Sequence, residues 1–260
     1  MKTIVITGGT SGIGKSAAEY FTANGDNVFV LSRNNEGNMP NFYPCDVSDA
    51  AAVARTFTEI GAKCGTIDVL VNSAGYGISG AAELIDIEVA KQLFAVNVFG
   101  TQACINAALP FMTRGGKIIN ISSVMAEFPI PFRGYYGASK AAVSHMTLSQ
   151  RMELAASGIQ VAAVLPGDTK TNFTKVRVKD FKTNERYGDS IKKATERLDA
   201  REGKRMPPEV IGKAIFRFSQ KKRMKPFLIV GAKFKLLKFA NRFLPLRLYL
   251  KFANKIAGDK

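Results

Sequence analysis

Cysteine and histidine are scarce in this chain. Its three cysteines, Cys45, Cys64 and Cys104, are odd in number and share no metal-ligand spacing. That excludes a disulfide scaffold or a cysteine-built metal centre and points to reduced thiols in a cytoplasmic protein. The single histidine, His145, lies five residues past Lys140, off the helical face that Tyr136 and Lys140 share, so a packing or surface role is expected of it. No run of about 18 apolar residues stands out, so no single helix is expected to span a membrane. Met1 to Ile6 runs directly into a strand-like segment, leaving no room for a signal peptide. Internal repeats and low-complexity linkers are also lacking.

What is present suits one compact α/β domain: 260 residues, 46% hydrophobic, with 23 glycines. The net charge of +16 suggests a nucleic-acid binder until it is located. From Lys204 to Lys260 there are 16 Lys and Arg against two acids, Glu209 and Asp259, a net of +14. The preceding 203 residues carry 21 basic and 19 acidic groups. The body is nearly neutral, and the basicity belongs to an attached element near the C-terminus. No base-reading module accompanies it, so nucleic acid is not an expected partner.

Apolar, β-branched runs at Lys2–Thr7, Asn27–Ser32, Thr66–Asn72, Gly116–Ser122, Ile159–Leu165 and Phe227–Gly231 read as buried parallel strands. Helix-periodic segments alternate with them around Lys15–Asn24, Asp49–Gly61, Ile87–Met112, Tyr136–Ser157 and Pro208–Ser219. This alternation predicts a doubly wound α/β fold, a parallel sheet flanked by helices over residues 1–231. The polar stretch 168–205 follows a strand's C-terminal end, where such sheets bind ligands, and reads as a substrate lid.

Two constellations carry chemistry. Thr7-Gly8-Gly9-Thr10-Ser11-Gly12-Ile13-Gly14 joins the first strand to the first helix. Its glycines let the backbone turn sharply and approach a pyrophosphate, which the helix N-terminus favours. Arg33 follows the second strand where a carboxylate would bind the ribose hydroxyls of NAD. A guanidinium there suits the 2′-phosphate of NADP, so NADP(H) is preferred over NAD(H). The second constellation is Tyr136 and Lys140, four apart on one helical face, with Ser123 thirteen residues upstream. A cation beside a phenol is expected to lower its pKa and make Tyr136 a proton donor or acceptor near neutrality. Alone, the pair reads equally well as exposed helix surface.

Together these residues resemble the short-chain dehydrogenase/reductase family over residues 1 to 231. Thr7 to Gly14 matches its Thr-Gly-x-x-x-Gly-x-Gly loop, and Asn72-Ser73-Ala74-Gly75 is similar to its Asn-Asn-Ala-Gly segment, with Ser for the second Asn. Asn97, Ser123, Tyr136 and Lys140 match its catalytic tetrad. Asp46-Val47 resembles the pair beside the adenine, and Pro166-Gly167 with Thr171 the segment at the nicotinamide end. The resemblance implies a Rossmann domain and cofactor contacts from Gly8, Thr10, Ser11, Gly12, Ile13, Gly14, Arg33, Asp46, Val47, Asn72, Ala74, Gly75, Tyr136, Lys140, Pro166, Gly167 and Thr171. It implies hydride transfer between nicotinamide and a carbonyl or alcohol carbon. Ser123 would orient the oxygen, Tyr136 would move the proton, Lys140 would hold the ribose, and Asn97 would hold a water leading to solvent. A homodimer or homotetramer is also implied.

Between Ser123 and Tyr136 lies Glu127-Phe128-Pro129-Ile130-Pro131-Phe132. Phe128, Ile130 and Phe132, with Ser123 and Tyr136, are expected to wall a substrate pocket for a bulky apolar carbonyl or alcohol, such as a steroid or lipid. The alternative is that these side chains pack against the lid. Residues 232–260 read as two short amphipathic helices interrupted at Pro245. Lys235, Lys238 and Arg242 stripe the first; Arg247, Lys251 and Lys255 stripe the second, opposite Tyr249, Leu250, Ala253 and Ile256. Such a tail suits an anionic membrane surface, or docks its apolar face on the body or on a second subunit. A non-catalytic NADP-binding sensor or scaffold, a reductase of small aldehydes or ketones, and an epimerase or dehydratase remain as alternatives.

Overall fold

A computed structural model describes residues 1–170, 177–180, 182–200, 205–241 and 243–257. Seven strands form one sheet in which every pairing is parallel: β1 Thr3–Thr7, β2 Asn27–Ser32, β3 Phe42–Pro44, β4 Val69–Asn72, β6 Lys117–Ile121, β7 Gln160–Pro166 and β9 Phe227–Val230. The spatial order is β3-β2-β1-β4-β6-β7-β9. The chain therefore reverses its direction of winding at β1, and that switch point opens a crevice at the C-terminal strand ends.

Side chains within β1 alternate between two cores. Ile4 and Ile6 face a layer made by α1 (Gly12–Ala23) and α7 (Pro208–Ser219), where Phe21 meets Phe216 edge to face at 5.3 Å. Val5 faces the other layer, where Val53, Phe57 and Ile60 of α2 (Ala50–Cys64) join Cys104 and Ile105 of α4 (Thr101–Ala108). Both sheet faces are covered, which is why the strands read as continuous apolar runs. Asp49 starts α2 by accepting from the Ala51 and Ala52 amides at 2.9 and 3.0 Å.

The doubly wound α/β expectation holds, with some differences. Strand β3 is three residues long and ends in proline, which suits only a sheet edge and leaves no alternation to read. The segment expected as one helix over 87–112 is α3 (Ile87–Phe94), a π-helical turn Ala95–Gly100, α4 and a 3₁₀ turn Leu109–Phe111. Contrary to expectation, this stretch is long and apolar enough to cross a membrane by length and composition. The fold uses it otherwise: Leu93, Asn97, Cys104, Ile105 and Ala108 lie in the interior.

Helix α5 (Gly134–Glu153) crosses between the two halves of the site and leaves His145 exposed. Within the polar stretch 168–205, a helix α6 (Ser190–Asp199) forms, and β8 (Val178–Lys179) pairs with β5 (Ile78–Ser79). After β9, α8 (Ala232–Asn241) and α9 (Leu246–Ala257) follow. Tyr249 and Ala253 of α9 are buried in a small third core with Val124, Phe128, Ala163 and Leu165. Leu250, expected on their face, is 46% exposed.

Candidate active site

A cleft of about 730 Å³ lies over the C-terminal ends of β1, β2, β4, β6 and β7, within the ~300–1,000 Å³ range of small-molecule sites. At one end, the turn after β1 is held by Gly8 N–H donating to the Leu31 carbonyl at 2.7 Å. Gly8 takes φ +65°, and a β-carbon there would lie 2.9 Å from Ala74 Cα; at Gly14 it would lie 2.3 Å from the Gly8 carbonyl oxygen. Loop, helix and the Ser73–Ala74 segment are thus pressed together as only glycine allows. Thr7 adds a tie, its hydroxyl accepting from the Ser73 and Ala74 amides, both at 3.1 Å. Ser11 precedes α1 and makes no side-chain cap, so the first amides of the helix are left to a ligand.

Gly8, Thr10, Ser11, Gly12, Ile13, Arg33, Asp46, Val47, Ala74, Gly75, Pro166 and Gly167 all line the cleft. Burial would raise the Asp46 carboxyl. The Ser48 hydroxyl and amide, at 2.7 and 2.9 Å, and the Arg33 charge outweigh it and hold the group below its ordinary value. Gly14 and Asn72 stand behind the wall. Asn72 is buried and donates to Asn120 Oδ1 at 2.9 Å, so it joins β4 to β6. Thr171 lies outside the described residues.

Ser123, Tyr136 and Lys140 come together at the other end. Ser123 starts the 3₁₀ turn Val124–Ala126, accepting from the Met125 amide at 3.1 Å, and its hydroxyl hydrogen-bonds the Tyr136 phenol. The adjacent Ser122 is committed elsewhere: its hydroxyl lies 2.8 Å from both the Lys140 carbonyl and Ser144 Oγ. Tyr135 packs instead near Ile78 and Leu93.

The expected ionisation of Tyr136 is reversed. Burial pushes its phenol up, while Ser123 and the charges of Arg177 and Arg133 pull less strongly the other way. Lys140 turns its ammonium to the Ile121 carbonyl at 2.8 Å, and burial lowers it to about 8. Asn97 does not reach the cleft. It is fully buried in the π-helical turn, and its Nδ2 donates to the Tyr76 carbonyl and Ser139 Oγ at 3.0 and 3.1 Å. Its Oδ1 accepts from the Tyr76 amide at 3.1 Å, pinning the loop that carries Gly75.

The Phe128, Ile130 and Phe132 wall is a second correction, since none of the three lines the cleft. Phe128 is buried against Tyr249 of the tail, ring centroids 6.0 Å apart, and Phe132, at φ +60°, turns its ring to Tyr187 at 6.0 Å. Tyr76, Ile78, Val124, Met125 and Val178 take their place, with Arg133, Arg177 and Arg205. Arg133 was missed in the sequence, although it lies three residues before Tyr136 at the start of the same helix and so within its reach.

A glycine cradle at the sheet's switch point, facing a hydroxyl, a phenol and a lysine, defines an oxidoreductase site that takes a nicotinamide dinucleotide. Residues 2–182 match the short chain dehydrogenase family model, and the chain belongs to that family. It is 36% identical over 225 residues to a 3-ketodihydrosphingosine reductase of Bacteroides thetaiotaomicron, covering 84% of each chain. A short-chain dehydrogenase from Streptomyces avermitilis superimposes with a TM-score of 0.82 at 25% identity, over 98% of this chain and 97% of that one. The NADP-bound structure of ElxO does so with a TM-score of 0.71 at 28% identity, over 88% and 96%.

Proposed function

We propose that the chain is an NADP(H)-dependent reductase of a bulky, largely apolar ketone, with Tyr136 as the general acid. The observation that carries this reading is the meeting of Ser123, Tyr136 and Lys140 in the same cleft as the glycine turn. When bound, NADPH supplies the hydride. Ser123 orients the carbonyl oxygen by donating to it, and Tyr136 gives its proton to that oxygen as it becomes an alkoxide. A phenol raised by burial is protonated at neutral pH, the form that reduction requires. Lys140 holds the ribose hydroxyls, and Asn97, behind Gly75 and Tyr76, keeps a water path to Lys140 for reprotonation. The described parts of stretch 168–205 close over substrate; Arg177 and Val178 already lie on the cleft.

Lys140 makes the reading testable by pH. In the free protein its ammonium is lost as pH rises through about 8. Lys140 loses affinity for ribose in its neutral form, so NADPH binding weakens by up to about tenfold per pH unit above that value. Lys140→Met binds weakly at every pH and shows no such slope. Fluorescence titration of NADPH reads both; a pH-independent wild type refutes the role given to Lys140.

The apolar lining from Ile78, Val124, Met125 and Val178 supports a lipid or steroid ketone, as does a 36% identical relative named for a ketone of dihydrosphingosine. NADPH oxidation screened over long-chain ketones, steroids, quinones and small aldehydes is expected to favour the first two. Activity confined to small polar aldehydes overturns the substrate class. Phe99, 66% exposed on the face shared by α2 and α4, supports assembly as a homodimer or homotetramer, which light scattering reads. We place the enzyme in the cytoplasm, at the face of an anionic membrane.

A further inference from the structure

The tail has two faces with different fates. Its inner face is committed to the body: Tyr249 and Ala253 are buried, and Phe234, Leu237 and Leu244 pack on the same cluster. The outer face is not. Leu236, Phe239, Phe243 and Leu246 are 63–75% exposed, and Leu248 and Leu250 are 44% and 46% exposed. Other exposed large apolar side chains, such as Met1, Ile87, Phe99 and Met152, are scattered along the chain, whereas these six fall within fifteen residues. Phe239 and Phe243 meet edge to face at 5.7 Å, forming one apolar wedge. Lys235, Arg247 and Lys251 stand exposed among them.

The inner contacts fall on segments that flank the cleft. Tyr249 donates its hydroxyl proton to the Pro129 carbonyl at 2.8 Å, and Lys238 pairs with Glu127. Both partners lie in the segment joining Ser123 to Tyr136. At the end of β7, Lys233 pairs with Asp168 at 3.2 Å, and the Phe234 ring lies against Gly167 so closely that a β-carbon there would sit 2.0 Å from it. Asp168 and Gly167 line the cleft.

We infer that the outer face of α8 and α9 docks on an anionic lipid bilayer and holds the mouth of the cleft at its surface, so that a lipid ketone enters from the bilayer. An apolar wedge rimmed by cations, in a C-terminal region that carries +14 of the chain's net charge of +16, is complementary to acyl chains beneath anionic headgroups. Exposed apolar surface of this kind costs free energy in water and is relieved by burial. The docking stands on the tail alone. Entry of substrate from the bilayer rests also on the reductase reading.

The test uses the full chain with vesicles of phosphatidylcholine, with and without phosphatidylserine. Sedimentation with the anionic vesicles is expected, weakening as salt screens the attraction. Combined Phe239→Ser, Phe243→Ser and Leu246→Ser, all on the solvent side, is expected to lower vesicle affinity at least about tenfold. NADPH binding and turnover of a water-dispersed ketone are expected to be unchanged. Vesicles are expected to raise turnover of a bilayer-borne ketone in the wild type and not in the variant. Equal sedimentation by the variant, or none by the wild type, overturns the docking. A wild type that self-associates through this face, and becomes monomeric on the substitutions, overturns it in favour of a subunit interface. Vesicle binding by a protein without reductase activity refutes the catalytic reading and leaves the docking intact.

Discussion

Tyr136→Phe is expected to lower turnover on the order of 10³-fold while leaving NADPH binding unchanged. The substitution removes one oxygen and keeps the ring, so the packing of α5 beside the cleft survives. What it removes is the group hydrogen-bonded to Ser123 and aimed into the cleft. At neutral pH that group carries its proton, because burial raises the phenol more than Ser123, Arg177 and Arg133 lower it. Without it, the developing alkoxide must draw a proton from water, at a cost of about 4 kcal/mol in the barrier. At saturating NADPH the wild-type rate of reduction should therefore hold through neutral pH and fall as alkali ionises Tyr136. The chain has no tryptophan, so nicotinamide fluorescence reports binding without interference from indole. Turnover within tenfold of the wild type in the Phe variant would remove Tyr136 from the mechanism.

The second large effect is expected at Arg33. This residue follows the last residue of β2, Ser32, whose hydroxyl accepts from Thr10 at 3.0 Å, so the strand end is tied to the glycine turn. Arg33 then lines the cleft beside Asp46 and Glu36. Its guanidinium can grip a 2′-phosphate with two parallel hydrogen bonds, and the two acids would repel that phosphate if it were absent. Arg33→Asp is expected to reduce kcat/KM with NADPH by about 10²-fold or more and to raise it with NADH. The ratio of the two constants decides the matter. A wild type that already prefers NADH, or a variant whose ratio is unchanged, would mean that Arg33 is only a solvated surface charge.

Much of this site was legible because its signals are local. A glycine at φ +65° and a helix whose first amides lack a cap are consequences of eight consecutive residues. Tyr136 and Lys140 share a helical face by spacing alone. Spacing favours Ser123 over Ser122, and the fold commits Ser122 to Lys140 and Ser144 of the neighbouring helix. The Phe128 to Phe132 wall was misread because the short loop between Ser123 and Tyr136 can turn either way. Tyr249, 120 residues further along the chain than Pro129, packs on Phe128 away from the cleft.

The amino-acid sequence by itself determined the parallel α/β architecture, the glycine turn after β1 and the helical pairing of phenol and ammonium. Each depends on periodicity or on backbone freedom within a few residues. Only the tertiary structure decided the rest. It set the direction of the Tyr136 shift, since desolvation is a property of surroundings and not of spacing. It placed Asn97 behind the cleft and Arg133 within it. It also divided the tail into a face bound to the body and a face left to solvent, because burial is settled by contacts between residues far apart in the chain.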